Sequence, residues 1–486
     1  MAADASTVVE ERIKADIEDH IRRIQKAIRQ PTLSVDGVGL RETAELTVEF
    51  LQELECDEAE LIETEGAPGV WGYLDADAEK TLVTYEMLDT RLVTDEHMWD
   101  HPPFGAERVD MEPYGEVIVG RMGDKAAFVT YLNSLMAARE ALDELPVNVI
   151  FLMETEEING SPYYYEMLDL YEDRIADADA CLTPAPAQNA CGDVSISLGY
   201  KSAIYFDLRV SGDRWGRGPQ GASIHSMSNS VVDSPAWRLV EALSCLTDDG
   251  GTEVLVDGFY DQYEPPTEDE RKEIRDLIER LGGGADLWKS LPGLSSGRIE
   301  RLTNNLQEDV EEAFVRYTYG PESFNIQGIN CGFLGPNTGT HPFQLPHEGY
   351  ATLDVRLPRG YDPDTTLRQI RNHLDAYGYE DVELDVRATH SSCQTDRDAD
   401  IVKIVDDVLS YYGAGVTYWP YSSGGVPWAA FNSRYDMPVL HRVGVGHQGT
   451  ADPDEFLVID GNETVAGLAD CEISYFNMLQ EFANMK

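Results

Sequence analysis

Eighty-nine Asp and Glu residues stand against 37 Lys and Arg in this chain of 486 residues, a net charge of −52. Of the 37 basic residues only 9 are Lys and 28 are Arg. Charge of one sign repels itself, so such a chain can fold only around a large apolar core with its acids turned outward. The core is available, because 42% of the residues are hydrophobic and 9% aromatic, which excludes a wholly disordered chain. In molar salt the Debye length falls to about 3 Å and the repulsion is screened. The composition is similar to that of cytoplasmic, Lys-poor proteins of salt-accumulating halophiles. The same field opposes nucleic acid and anionic membranes, so neither is expected as a partner.

No run reaches the about 18 apolar residues of a membrane span. The opening MAADASTVVEERIKADIEDH has neither a basic nor an apolar leader region, so no signal peptide is expected there. Seven scattered Cys without a CxxC pair predict reduced thiols, and with them a cytoplasmic setting.

The length suits two or three domains. Val9, Ile13, Ile17, Ile21, Ile24 and Ile28 recur at helical spacing before Pro31, with Thr7-x-x-Glu10 as a capping box. A helix over 41–55 precedes strand-like runs at 70–74, 81–88 and 116–120. A helix over 125–142 leads into the apolar run 147–153, and a helix near 162–172 precedes DACLTP at 179–184. Apolar strands alternating with helices predict an α/β domain around a buried sheet. From about 194 the pattern changes to period-two alternation, with helices at 233–246 and PDTTLRQIRNHLDAYG and further strands in FNIQGINCGFLG, GYATLDVRL and DVELDVRA. These predict a small α+β domain inserted into the first. The division expected is 1–200 and 391–486 for the α/β domain and 201–390 for the insert. The acidic stretch 247–320 is an elaboration of the insert. The α/β pattern returns with a helix at 397–411, a strand at 437–443 and a last helix at 463–484.

Four places carry candidate chemistry. Asp89 follows the run TLVTYEML, at the strand end where α/β sheets bind ligands. Glu154-Thr155-Glu156-Glu157 follows VNVIFLM; neighbouring carboxylates can divide the work of metal ligand and base. His225 lies in Ile224-His225-Ser226, and His447 in the glycine-rich segment 444–449 after a strand. Each of these residues also has an ordinary loop role open to it.

Together with Trp99 to Phe104, Gly120-Arg121 and Lys125, Gly160 to Pro162, Ser197 to Lys201, DSPAWRLV, Phe324 to Ile329 and Leu345 to Leu357, these motifs occur in a recognisable order. The chain resembles the M20 metallopeptidase/amidohydrolase family, which includes aminoacylases, carnosinase-type dipeptidases and desuccinylases. The resemblance runs over about residues 10–484. It implies a zinc-peptidase-like α/β catalytic domain with an inserted ferredoxin-like α+β lid, a homodimer formed through the lid, and hydrolysis of an amide or peptide-like bond in a small, carboxylate-bearing or dipeptide-like substrate. It further implies Glu156 as general base, Glu157 and Asp89 as metal ligands, and His225 and His447 as groups that polarise the oxyanion. Arg356 and Asn325 would contact the substrate.

The resemblance also implies a pair of divalent metals, usually zinc, and there the chain departs from the pattern. The first ligand His falls on Met87, the later acid near Ala185, and the distal His near Ala451, beside Asp452. The turn carrying the bridging Asp is two residues shorter, which leaves Asp124 adjacent to that place. A set of Asp89, Asp124, Glu157 and Asp452 is all oxygen, which suits Mg, Mn or Ca better than Zn. Three states stay open: a hard-metal site, a metal-free site with raised carboxyl pKa values, or carboxylates that never meet; with them stay open a metal-independent enzyme on the same scaffold and a non-catalytic binding protein.

Overall fold

The computed structural model describes residues 5–485 except 95, 143, 249, 283, 285, 295–298, 322, 336, 337, 450 and 451. It divides into two compact units: Met1–Leu198 with Gln394–Trp419 and Ala430–Lys486, and Gly199–Cys393 with Pro420–Ala429. The second is thus inserted into the first, and the fold is the α/β domain with an α+β insert.

The first unit is built on a mixed six-stranded sheet. Its strands are β1 (Glu58–Ile62), β2 (Gly69–Leu74), β3 (Thr81–Met87), β4 (Asn148–Glu154), β5 (Ala180–Pro184) and β6 (Val439–Val443), in the spatial order β1-β2-β4-β3-β5-β6. β3 is parallel to both β4 and β5, and β5 to β6. β4 is buried along its whole length, which is why its sequence is continuously apolar instead of alternating. Helices α1 (Ala5–Arg29), α2 (Leu40–Glu53), α3 (Lys125–Ala141), α4 (Asp400–Tyr411) and α5 (Leu468–Ala483) belong to the same unit. Val9, Ile13, Ile21, Ile24 and Ile28 of α1 join one core cluster with Phe128, Leu132, Phe476 and Leu479. Each such buried side chain contributes about 1.5–3 kcal/mol.

Two helix starts differ from the expectation. Thr7 lies inside α1 and does not cap it; the helix runs on from Ala5, where Ser6 Oγ donates to Asn477 Oδ1 at 2.7 Å. Tertiary contact with α5 extends it past the local signal. The last helix begins at Leu468, not 463, because Asn462 Oδ1 accepts the N–H groups of Thr464 and Val465 and holds them in a turn.

The second unit has a four-stranded antiparallel sheet in the order Ser323–Cys331, Glu348–Leu357, Ser202–Ser211, Glu383–His390. Ile204, Phe206, Leu208 and Val210 alternate inward and pack with Leu239 and Leu243 of Pro235–Ser244 and Ile370 and Leu374 of Pro363–Ala376. The elaboration carries helices Glu268–Arg280 and Val310–Tyr319; a Thr267/Glu270 capping box opens the first. No described helix is long and apolar enough to cross a membrane.

Candidate active site

The parallel ladder between β3 and β4 places Met87 opposite Glu154, and the Leu88 N–H donates to the Glu154 carbonyl at 2.8 Å. The chain leaving β3 at Asp89 therefore runs beside the chain leaving β4 at Glu156 and Glu157. Asp89 is 1% exposed. Its Oδ1 accepts the Glu157 N–H at 3.2 Å; its Oδ2 accepts the Ile158 N–H at 3.0 Å and Ser34 Oγ at 2.5 Å. Burial pushes this carboxyl up to about 6, and the Ser34 and backbone donors oppose the rise. Glu154 is buried too. Its Oε1 accepts the Tyr85 hydroxyl at 2.7 Å and the Ser161 hydroxyl at 2.8 Å. Burial raises its pKa well above the usual range, and the charges of Glu157 and Asp89 add to the rise.

Glu156 stands in the turn after β4, and its Oε2 accepts the Ala67 N–H at 2.7 Å. Glu157 is half-buried in the same turn. Lys125 opens α3, buried, and its Nζ donates to the Gln30 carbonyl at 2.5 Å and to Thr32 Oγ1 at 3.1 Å. Burial lowers its pKa to about 7, against the pull of the Asp89 and Glu455 carboxylates.

Asp124, just before α3, is 2% exposed, and its Oδ1 accepts Arg442 Nη1 at 2.6 Å. Its Oδ2 has no hydrogen-bond partner among the described residues. Glu86, the buried neighbour of Met87, has a bare Oε1 in the same sense. Burial raises the Glu86 pKa strongly, Asp124 adds to it and Arg442 opposes it, so these three groups share one electrostatic neighbourhood.

His447 Nδ1 lies 2.6 Å from the Gln188 carbonyl, which can only accept. The neutral ring therefore carries its proton on Nδ1 and presents Nε2 as an acceptor. Burial, with Arg442 behind it, lowers the His447 pKa and favours that neutral form. The Tyr114 and Phe456 rings flank it. Asp452 is exposed. Ala451 lies outside the described residues. The acid of this loop that turns inward is Glu455, 3% exposed, whose Oε1 accepts the Met122 N–H at 2.6 Å and whose Oε2 accepts Arg121 Nη1 at 3.1 Å.

The remaining candidates belong to the second unit. Arg356 Nε donates to Asp354 Oδ1 at 3.1 Å, and its guanidinium lies 5.0 Å over the Tyr205 ring. Asn325 and Gln327 both donate to Asp354 Oδ2 at 2.9 Å. Arg356 and Asn325 thus converge on one buried carboxylate. His225 is exposed, accepts the Met227 N–H on Nδ1 at 3.2 Å and stacks on Phe343.

Glu86, Arg442, Ser34 and Glu455 had no role in the sequence reading. A signal existed for the first two: each is a charged residue inside an apolar strand run, where an unpaired charge is costly.

The metal pair implied by the resemblance does not fit these residues. Met87 and Ala185 offer no ligand where a His and an acid are called for. Both Asp89 oxygens are held by N–H and O–H donors, and an Asp124 oxygen is held by a guanidinium. Among the described residues, no three His, Cys, Asp or Glu side chains converge as a metal-holding group.

Residues 88–468 match the model of peptidase family M20/M25/M40, and the chain belongs to that family. It is 25% identical over 294 residues to the Beta-Ala-His dipeptidase of Rattus norvegicus, a match covering 60% of this chain and 54% of that protein. The chain thus spans about half the length of the curated relatives it matches first. Among solved structures it is similar to an M20 family metallo-carboxypeptidase from Sulfolobus solfataricus, with TM-score 0.77 and 24% identity over 96% of this chain and 98% of the other. It is also similar to the di-peptidase Dug1p from Saccharomyces cerevisiae, with TM-score 0.78 and 19% identity over 99% and 98%. These likenesses carry the fold.

Proposed function

We propose that the protein hydrolyses an amide or peptide-like bond in a small substrate bearing a carboxylate, a dipeptide being the first to test. The observation that carries this reading is the adjacency of Asp89 and the Glu156–Glu157 pair at the ends of two hydrogen-bonded parallel strands. Glu156 is the general base. It takes a proton from water as the water oxygen adds to the substrate carbonyl, then passes that proton to the leaving amine as the C–N bond breaks. Asp89, fixed by three donors, holds the turn that carries the pair. His447, through Nε2, is assigned to accept a proton or a substrate N–H. Arg356 has its Nη groups directed to no described acceptor, and its fork geometry suits a substrate carboxylate, with Asn325 beside it on Asp354. His225 is assigned to the substrate by the resemblance alone. The dipeptidase names of the relatives support a small peptide as substrate.

The test is turnover of β-Ala-His, Cys-Gly and N-acyl amino acids, followed by mass spectrometry, with and without added Mn2+ or Zn2+. Glu156→Gln is expected to lower kcat by roughly 10²–10⁴-fold with an unchanged melting temperature. A wild-type protein that turns over none of these, or a Glu156→Gln variant at full rate, refutes the reading. We further propose that two copies pair through the second unit. Its sheet ends in the edge strand Ser323–Cys331, where Ile326 and Ile329 are exposed. A monomeric mass in sedimentation would dismiss that pairing.

A further inference from the structure

Arg442 sits where its strand breaks register. The β5–β6 ladder shifts between His441 and Val443, and Arg442 is the residue left over. Its φ of 56° lies in the left-handed region that a long side chain seldom adopts. The bulge is pinned, because the Arg442 N–H donates to Thr183 Oγ1 at 3.1 Å. A bulge re-aims a side chain, and here it turns the guanidinium out of the ladder and onto Asp124 at 2.6 Å. The surroundings need a cation. Asp124 and Glu86 are both buried, each with one oxygen lacking a partner among the described residues. A strained backbone that delivers a positive charge onto one buried acid, with the buried Glu86 in its field, is a built arrangement.

We propose that Arg442 is a resident cation of this unit. It holds Asp124 as a metal ion holds the bridging carboxylate of the family, so the acid-rich strand ends assemble without a divalent ion. The inference concerns assembly of the site reading given above, and its readouts do not involve turnover. A failed hydrolase test therefore leaves it standing, and its own failure leaves the hydrolase test untouched.

The experiment uses the full chain in constant molar KCl and reads metal content by elemental analysis and melting temperature with EDTA, Mn2+ or Zn2+. The wild type is expected to carry substoichiometric metal and to melt at the same temperature in all three. Arg442→Met is expected to melt roughly 5–10 °C lower, because the buried Asp124 carboxylate loses its half-buried partner. The double variant Asp124→Asn/Arg442→Met is expected to recover most of that loss, since it no longer buries an unpaired carboxylate. Stoichiometric metal in the wild type whose removal lowers the melting temperature overturns the proposal. So does an Arg442→Met variant that melts with the wild type. A double variant no more stable than the single, or one that fails to fold, overturns it as well, because Arg442 would then act through packing and not through its charge.

Discussion

Glu472 and Asp124 are buried carboxylates in the same unit, and they are treated in opposite ways. Glu472, on α5, has both oxygens engaged: His20 Nδ1 lies at 2.6 Å from Oε2, and Asn133 Nδ2 donates to Oε1 at 3.0 Å. Asn133 in turn accepts Arg23 Nη1 at 2.5 Å. The network ties α1, α3 and α5 together with nothing left over. Asp124, at the strand ends, has one oxygen on Arg442 and the other bare. A saturated network fixes packing, whereas a buried oxygen left without a partner in low dielectric carries an unrepaid desolvation cost. The difference is between an acid whose two oxygens tie three helices together and one that leans on a single guanidinium.

The sharpest way to break the comparison is to delete Glu472. Alanine there leaves His20 and Asn133 without their acceptor in a seam closed to water. The expected loss is about 3–5 kcal/mol, read by chemical denaturation in constant molar salt. Turnover per folded molecule should stay at the wild-type value, because the network lies in the helical layer away from Asp89 and Glu156. A variant as stable as the wild type would show that saturation is not what holds the three helices.

Much of this was legible in the residues. The isoleucine stripe of α1 and the apolar runs of β3 and β4 are period and burial signals, and the strands formed there. The place of Asp89 and of Glu156 and Glu157 followed from where those runs end. What stayed hidden depends on register. In a strand buried on both faces, alternation does not report which way Glu86 turns. The bulge at Arg442 has no local signature in MPVLHRV, since it is set by pairing with β5, 259 positions back at the Thr183 bond. In the segment ADPDE the inward acid is Glu455, three residues beyond Asp452. Spacing alone did not distinguish them.

Lys125 offers a second, smaller test of the contrast, through pH. Its folded pKa is lowered to about 7 by burial, whereas the unfolded lysine titrates near 10.5. Between those values the unfolded chain binds more protons than the folded one, so this group makes stability rise with pH. From pH 7 to 8.5 the contribution is about 1–2 kcal/mol. The window stops at 8.5 because burial raises the thiols of Cys56 and Cys393 to about 12, and their loss of stability begins near 9. Lys125→Met should flatten the rise, read as the difference in denaturation midpoints between the two proteins across that window. Parallel pH profiles would mean that Lys125 stays charged in the folded unit, paired with Asp89 and Glu455 as fully as Glu472 is with His20.

The smallest expected effect, and the one that places Asp89 between the two extremes, comes from Ser34. Asp89 is saturated like Glu472, but mainly by backbone N–H groups, with Ser34 Oγ as its one side-chain donor among the described residues. Its folded pKa of about 6 lies above the unfolded value of 3.8. Burying its charge therefore lowers stability as pH rises from about 4 to 6, and the Ser34 hydroxyl lessens that loss. Ser34→Ala should cost about 1 kcal/mol at pH 7.5, where Asp89 is ionised in both states, and less at pH 4.5, where the folded carboxyl holds its proton. Denaturation at the two pH values reads the difference directly. An equal loss at both would make Ser34 a packing residue, and Asp89 would then owe its place to the turn at 156–158 alone.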